Sequence, residues 1–139
     1  MPTPEHVRKV MQANRARNTR PEIAVRQVLT SLGYRYRLHA RDLPGRPDIV
    51  FRSRRKAILV HGCFWHQHDS PTCRLRSHPV ANIAYWGPKL ARNKTRDADV
   101  LTRLTQEGWT TLLVWECQLA ATETLARRLR RFLGKTRIT

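Results

Sequence analysis

The sequence predicts a mixed α/β domain with a central sheet flanked by helices. Two apolar runs without polar alternation, AILVH (57–61) and TLLVWE (111–116), are typical of central strands that are buried on both faces. The predicted elements follow the order helix, three strands, helix, strand and helix, which favours a sandwich around one sheet. With 139 residues, the chain has the length of one domain with a single core.

The first helix is predicted by its start and stop signals. Thr19 can act as the N-cap, Glu22 three residues later completes a capping box, and Pro21 lies in the first turn. Gly33 is expected to end the helix. The apolar face of the helix is expected to consist of Ile23, Val25, Val28, Leu29 and Leu32.

Three short strands are predicted to follow this helix. YRYRL (34–38) alternates as a half-buried strand does, and DIVF (48–51) is a short apolar strand that begins at an aspartate. The segments DLPGRP (42–47) and SRRK (53–56) have the composition of turns. The third strand is the AILVH run, so the three strands are joined by short connections.

The second half of the chain is predicted to contain two helices. Residues 62–80 form a long irregular segment, and a helix follows over about 82–106, with Pro88 as a possible break. After the TLLVWE strand, a last helix is expected over about 119–133. Its ARRLRRFL sequence makes the outer face of this helix basic.

The charge balance indicates a polyanionic partner. Lys and Arg number 27 against 10 acidic residues, which gives a formal net charge of +17. Nucleic acid is the expected partner, although a ribosome-like or merely basic surface would carry the same charge. Residues 1–18 are basic and low in apolar content, which predicts an arm that is ordered only when bound. We find no signal-peptide pattern or membrane span, which predicts a cytoplasmic protein.

The three cysteines of the chain and one histidine predict a zinc site. Cys63, His68 and Cys73 are spaced five residues apart, and Cys117 directly follows the TLLVWE strand. Three thiolates and one imidazole form a complete tetrahedral zinc set. The alternative is a buried core thiol at Cys117 and two loop thiols. A disulfide framework is not expected, because the number of cysteines is odd and no secretion signal is present.

Asp48, Val60 and two histidines predict a second, oxygen-rich site. If the two strands that carry them pair, the Asp48 carboxylate and the Val60 carbonyl converge and can bind magnesium with several waters. His61 and His66 flank this position, and a neutral imidazole there can act as a general base. Taken singly, each residue is more typical of a turn aspartate or a hydrogen-bonded histidine. Together with the charge, they favour metal-assisted phosphodiester hydrolysis.

Three aromatic residues lie in polar or basic segments. Phe64 and Trp65 are adjacent in the loop, and Trp86 lies in the next basic segment. Aromatic residues usually cover a core. In a nucleic-acid-binding protein, they can instead wedge between base pairs and kink the duplex. A mismatched pair is easier to open, so such wedges can select damaged DNA.

The sequence resembles the very-short-patch repair endonucleases, which are bacterial nickases of T:G mismatches. The resemblance extends in order from about residue 11 to about residue 120. It implies a restriction-endonuclease-like fold of the PD-(D/E)xK type with a structural zinc loop, in one endonuclease domain over 19–139. The segments that carry it are TRPE, YRYRLHARDLPGRPDIVF, VHGCFWHQH, WGPKLARNKTRD and EGWTTLLVWEC.

The resemblance also implies a role for each candidate residue. Asp48 would hold catalytic magnesium with the help of the Val60 main-chain carbonyl, and His66 would be the general base. His61 and Glu22 would hold metal-bound water or the phosphate environment. The Cys3His set would hold structural zinc.

The same resemblance assigns the contacts with DNA. Phe64, Trp65 and Trp86 would enter the duplex beside the mismatch, and the arm 1–18 would clamp it. Two features depart from the family pattern. Val60 stands where a relative has threonine, and the segment 68–73 is longer than the family spacing, so that Asp69 or His66 are alternative zinc ligands.

The implied reaction is a cut of one strand, 5′ to the mispaired thymine, in a monomer acting near the nucleoid. The nick would be extended by a repair polymerase, with mismatch-repair proteins as further partners. Because such mismatches arise from deaminated 5-methylcytosine, a cytosine-5 methyltransferase is the implied genomic companion. Two alternatives remain: a restriction or phage-defence nickase of matched or modified DNA, and a non-enzymatic, zinc-stabilised DNA-binding module.

Overall fold

The computed structural model describes residues 19–63, 66, 68, 73 and 83–136. Within these ranges, no helix is both long enough and apolar enough to cross a membrane. The described α-helices are α1 (Arg20–Ser31), α2 (Ile83–Gln106) and α3 (Thr122–Leu133). The described strands are β1 (Arg37–Leu38), β2 (Ile49–Phe51), β3 (Lys56–His61) and β4 (Thr110–Trp115).

The four strands form one mixed sheet in the order β1-β2-β3-β4. The pairs β1–β2 and β2–β3 are antiparallel, and Ile49 lies opposite Ile58. The pair β3–β4 is parallel, with His61 opposite Trp115. A parallel pair needs a crossover connection, and α2 lies within that connection. The mixed α/β architecture predicted from the sequence is therefore confirmed.

The central strand β3 is buried on both faces, as the AILVH run predicts. Ile58 belongs to the core cluster that includes residues of α1 and α3. Ala57 and Leu59 belong to the opposite cluster, which includes Leu104 of α2. Helices therefore cover both faces of the sheet, and the end of β3 at His61 lies between them.

The start of α1 confirms the predicted cap and corrects the predicted capping box. The Thr19 hydroxyl accepts a hydrogen bond from the Glu22 amide at 3.4 Å, and Pro21 lies in the first turn. The Glu22 carboxylate, however, binds Arg26 and His39 instead of turning back toward the N-cap. A side chain that sequence patterning assigns to local capping is therefore used in a tertiary contact.

Two further boundaries differ from the prediction for physical reasons. Within 34–38 only Arg37–Leu38 is strand, because only these two residues pair with β2. The last helix begins at Thr122 and not near residue 119, because Glu116–Gln118 form a 3-10 turn first. Pro88 lies inside α2 without ending it.

Gly45, in the turn before Asp48, provides a stability test of how that turn packs on α2. It has a φ of +69°, and an added Cβ would lie 2.5 Å from the Val100 side chain. We expect Gly45→Ala to lower the free energy of unfolding by roughly 2–4 kcal/mol, because backbone strain and overpacking add. Gly108→Ala is the matched control: its φ is +86° and its nearest contact is 3.5 Å.

Urea unfolding would measure both variants. The control should lose about 1 kcal/mol, from backbone strain alone. Adding Val100→Ala to Gly45→Ala should restore part of the loss. Equal losses in the two glycine variants would show that contact with Val100 does not matter.

Candidate active site and metal centre

Asp48 directly precedes β2, and its side chain reaches the end of β3. Its Oδ2 accepts a hydrogen bond from the Val60 amide at 2.8 Å. Burial, and then the nearby Glu22 carboxylate, raise the pKa of Asp48 from 3.8 to about 7. A cation bound at this position would restore the charge of the carboxylate. The structure therefore brings the Asp48 carboxylate to the Val60 amide, and its convergence with the Val60 carbonyl around magnesium stays a prediction.

Glu22 is the fully enclosed carboxylate of the same site. Its side chain is 2 % exposed, and its two oxygens lie 3.0 and 2.9 Å from His39 Nε2. Burial acts to raise its pKa, but hydrogen bonds and charges from Arg26 and His39 outweigh burial and lower it. Glu22 is therefore a fixed, charged neighbour of Asp48.

His39 completes this group of side chains and is missed by the sequence analysis. One ligand atom each from Glu22, His39 and Asp48 lie within 4.8 Å of one another. The backbone of His39 has a φ of +49°, and its amide donates to the Asp48 carbonyl at 3.0 Å. His39 therefore holds both the side chain of Glu22 and the backbone of Asp48.

A second group follows at the end of β3. The rings of His61 and His66 are stacked, with centroids 3.7 Å apart and planes 8° from parallel. His66 Nδ1 lies 2.5 Å from Asp97 Oδ2 on α2. The three residues offer ligand atoms within 4.8 Å of one another. Since Val60 and His61 are consecutive, this imidazole–carboxylate group adjoins the Asp48 group.

Burial, and then the neighbouring His66, lower the pKa of His61 from 6.5 to about 3. His61 is therefore neutral at physiological pH. Its Nδ1 is buried and has no hydrogen-bond partner within the described residues. On α2, the buried Asn93 lies one turn before Asp97, so this part of the helix is polar toward the site.

The predicted zinc ligands also converge. One ligand atom each from Cys63, His68, Cys73 and Cys117 lie within 4.8 Å of one another. His68 Nδ1 lies 3.3 Å from the Cys117 sulfur and 3.8 Å from the Cys63 sulfur. The edge between a sulfur and a nitrogen in a tetrahedral zinc site is about 3.6 Å, given the usual bond lengths. The donor set and spacing fit zinc.

The surroundings of the thiols suit a metal centre as well. Burial raises the pKa of Cys63 to about 12 and also raises that of Cys117, so a thiolate forms there only beside a cation. The Cys117 amide donates to the Cys63 sulfur at 3.4 Å, and Glu116 accepts from the Cys63 amide. Such outer hydrogen bonds orient the ligands of a metal. Of the alternative ligands, His66 is bound to Asp97 and Asp69 lies outside the described residues.

The candidate DNA-contacting residues are only partly described. Phe64, Trp65 and the arm 1–18 lie outside the described residues. Trp86 lies on α2, is 6 % exposed, and packs edge-to-face on Tyr85 at 4.7 Å. Tyr85, by contrast, is 38 % exposed. Entry of Trp86 into a duplex stays a prediction and requires its ring to leave this packing.

Comparison with known proteins agrees with this arrangement. The family model described as DNA mismatch endonuclease Vsr matches residues 1–72. A type II nicking enzyme, V.XorIIP of Xanthomonas oryzae pv. oryzae, is 50 % identical over 131 residues, which cover 94 % of each chain. The chain belongs to the Vsr endonuclease family.

Other Vsr-family relatives support the same assignment. The DNA mismatch endonuclease Vsr of Escherichia coli K12 is 39 % identical over 117 residues, 84 % of this chain and 73 % of that protein. The type II nicking enzyme V.NaeI of Lentzea aerocolonigenes is 46 % identical over 112 residues, 76 % of this chain and 64 % of that protein. The protein is therefore an endodeoxyribonuclease of the Vsr family.

The raised pKa of Asp48 predicts a pH-dependent loss of stability. The folded state favours the protonated carboxyl, so this group stabilises the fold fully below its ordinary pKa of 3.8 and loses that contribution as the pH rises through about 7. In magnesium-free buffer, Asp48→Asn should therefore be more stable than the wild type near pH 8, by an amount on the order of 2 kcal/mol. Near pH 5 the difference should be much smaller.

Denaturant unfolding at about pH 5 and about pH 8 measures this difference. Asp42→Asn is the matched control, because Asp42 is exposed and paired with Arg52 at the surface. The control should follow the wild type at both pH values. Parallel curves for wild type and Asp48→Asn would contradict the burial argument.

The cysteine cluster predicts about one zinc ion per chain. With zinc bound, the 3 cysteines of the chain should react slowly with a thiol reagent, and a chelator should expose all of them together. Cys117→Ser should lose zinc and lower the midpoint of thermal unfolding. His66→Gln should keep its zinc, since His66 is bound to Asp97. Zinc loss in His66→Gln would reassign the ligand set.

Proposed function

We propose that this Vsr-family enzyme nicks one strand of a duplex 5′ to the thymine of a T:G mispair. The observation that carries this proposal is the meeting of two groups at the end of β3. One group is Asp48 against the Val60 amide beside Glu22, and the other is the His61–His66–Asp97 group. Carboxylate oxygens beside an imidazole–carboxylate pair suit metal-assisted hydrolysis of a phosphodiester.

Asp48 and the Val60 carbonyl are the candidate magnesium ligands. The oxygen donors and the raised pKa of Asp48 fit a hard cation that keeps several waters. When bound, magnesium would polarise the scissile phosphate and stabilise the leaving oxygen. Glu22, whose oxygens are already engaged by His39 and Arg26, would orient water around this position and not bind the ion directly.

His66 is the candidate general base. Its Nδ1 faces the Asp97 carboxylate. If Nδ1 carries the proton and donates a hydrogen bond to Asp97, Nε2 is left to take a proton from water. A carboxylate in this role orients the ring and favours the imidazolium that forms. His61, neutral and stacked on His66, would keep the base in position beside the phosphate environment.

Selection of the mispair would rest on the aromatic residues and the basic arm. Phe64, Trp65 and Trp86 would open the mismatched step, which costs less than opening a matched one. The arm 1–18 and the net charge of +17 would hold the phosphate backbone. The nick would then serve a repair polymerase after deamination of 5-methylcytosine, with mismatch-repair proteins as partners.

A second candidate function is a nickase of matched or modified DNA. It is favoured by the 50 % identity to a protein named a type II nicking enzyme. The two candidates share the active site described above. They differ only in the duplex that is cut, so a substrate panel separates them.

A strand-cleavage assay with magnesium tests the proposed function. Labelled duplexes would carry a T:G pair within CT(A/T)GG, or the matched T:A or C:G pair at the same position. We expect nicking of the thymine strand of the mismatched duplex alone. Asp48→Asn should reduce the rate by roughly a thousandfold or more, because the metal-binding carboxylate is lost.

Asp42→Asn is again the control and should cut at the wild-type rate, because Asp42 lies at the surface and is bound by Arg52. Equal cutting of all duplexes would replace mismatch repair with the second candidate function. Unchanged cutting by Asp48→Asn would remove Asp48 from the active site.

A further inference from the structure

Trp115 lies between the cysteine–histidine cluster and the histidine pair. It is the last residue of β4 and lies opposite His61 in the parallel register of β3 and β4. One face of its indole stacks on His68, with centroids 4.1 Å apart and planes 11° from parallel. His68 is a candidate zinc ligand, so this indole face is in contact with the metal centre.

The same indole also contacts the candidate catalytic histidines. Its ring meets His61 edge-to-face at 5.1 Å and 84°, and it meets His66 at 6.3 Å and 76°. Both distances lie in the range of favourable aromatic contacts. A continuous series of contacts therefore leads from the metal centre to the carboxylate on α2, through His68, Trp115, His61, His66 and Asp97.

The backbone around Trp115 is held on both sides. Its amide donates to the Gln118 side chain at 3.0 Å, and that same oxygen accepts a hydrogen bond from Arg128 of α3 at 2.8 Å. Two residues later, the Cys117 amide donates to the Cys63 sulfur. The backbone of Trp115 is therefore held in the same segment as the cysteine–histidine cluster.

We propose that Trp115 is a positioning residue that couples the cysteine–histidine metal centre to the orientation of His61 and His66. Stacking on His68 orients the flat Trp115 ring, and contact with this ring orients the His61 and His66 rings. The catalytic meaning of this coupling rests on the proposed function. Zinc then does more than fold a loop: it fixes the ring against which the general base is aligned.

If Trp115 only fills space in the core, its replacement should have a different result from that expected for a positioning residue. In that case, Leu should replace it at a cost in stability alone, from the cavity that the smaller side chain leaves. A positioning ring must be flat, so Phe should replace Trp115 and Leu should not. The two substitutions therefore distinguish packing from positioning.

The test has a spectroscopic arm that does not depend on cleavage. Zinc in the full chain would be exchanged for cadmium, a larger thiophilic ion, and histidine ring signals would be followed by NMR with labelled histidine. The chain has 6 histidines, and His66→Gln assigns the signal of interest. We expect the exchange to move the His66 signal in the wild type and in Trp115→Phe, and to leave it in place in Trp115→Leu.

The control for this arm is Trp109→Leu. Trp109 is a buried tryptophan in the cluster beside α2, where it packs under Arg55, whereas Trp115 is half-buried. Its replacement should leave the response of His66 to cadmium intact. A response that survives in Trp115→Leu, or one that is lost in both leucine variants, would overturn the proposal.

The kinetic arm measures single-turnover nicking and DNA affinity. Trp115→Leu should lower the cleavage rate about tenfold or more with unchanged affinity, and Trp115→Phe should stay within about threefold of the wild type. Wild-type rates in Trp115→Leu would overturn the proposal. If no duplex is cut by the wild type, the proposed function fails while the NMR arm still decides the coupling. If Trp115→Leu does not fold, the wild type alone decides: a His66 signal that does not move on exchange of zinc for cadmium would overturn the proposal.

Discussion

The hydrogen bond from the Val60 amide to the Asp48 carboxylate is the contact on which the candidate active site depends. It forms because β2 pairs antiparallel with β3, so that the start of one strand meets the end of the other. The pairing of β1 with β2 brings His39 to Asp48, the His39 ring binds Glu22, and the residue after Val60 in β3 is His61. A carboxyl group is thereby held in a site that disfavours its charge, which is the condition for strong attraction to a cation.

Features encoded by neighbouring residues could be predicted from the sequence. The cap at Thr19, the buried strand 57–61 and the convergence of Cys63 with Cys117 follow from propensity, periodicity and ligand type. The cap and the strand each depend on a preference that a few consecutive residues express, whereas the convergence of the cysteines is predicted from ligand type alone, because Cys117 lies 54 positions after Cys63. The mixed sheet follows from the order of such segments.

Features created by tertiary contact could not be predicted. Asp97 lies among polar residues of a long helix, and only the packing of α2 on the sheet brings it to His66. His39 is a single histidine in a connection, and its role comes from a backbone with positive φ. Glu22 fits a capping box, yet in the folded protein its buried carboxylate binds Arg26 and His39 instead of the helix end. For Trp115, an apolar strand pattern explains burial but not the stacking on His68.

The link between Cys63 and Cys117 also bears on how fast the chain folds. The two residues are 54 positions apart, and the parallel pairing of β3 with β4 must close a loop of similar length. Closing such a loop costs entropy before any native contact is gained, which makes parallel sheets slow to form. A metal ion held by both thiolates closes this loop in one step. The supply of the ion to a newly made chain would then set its rate of folding.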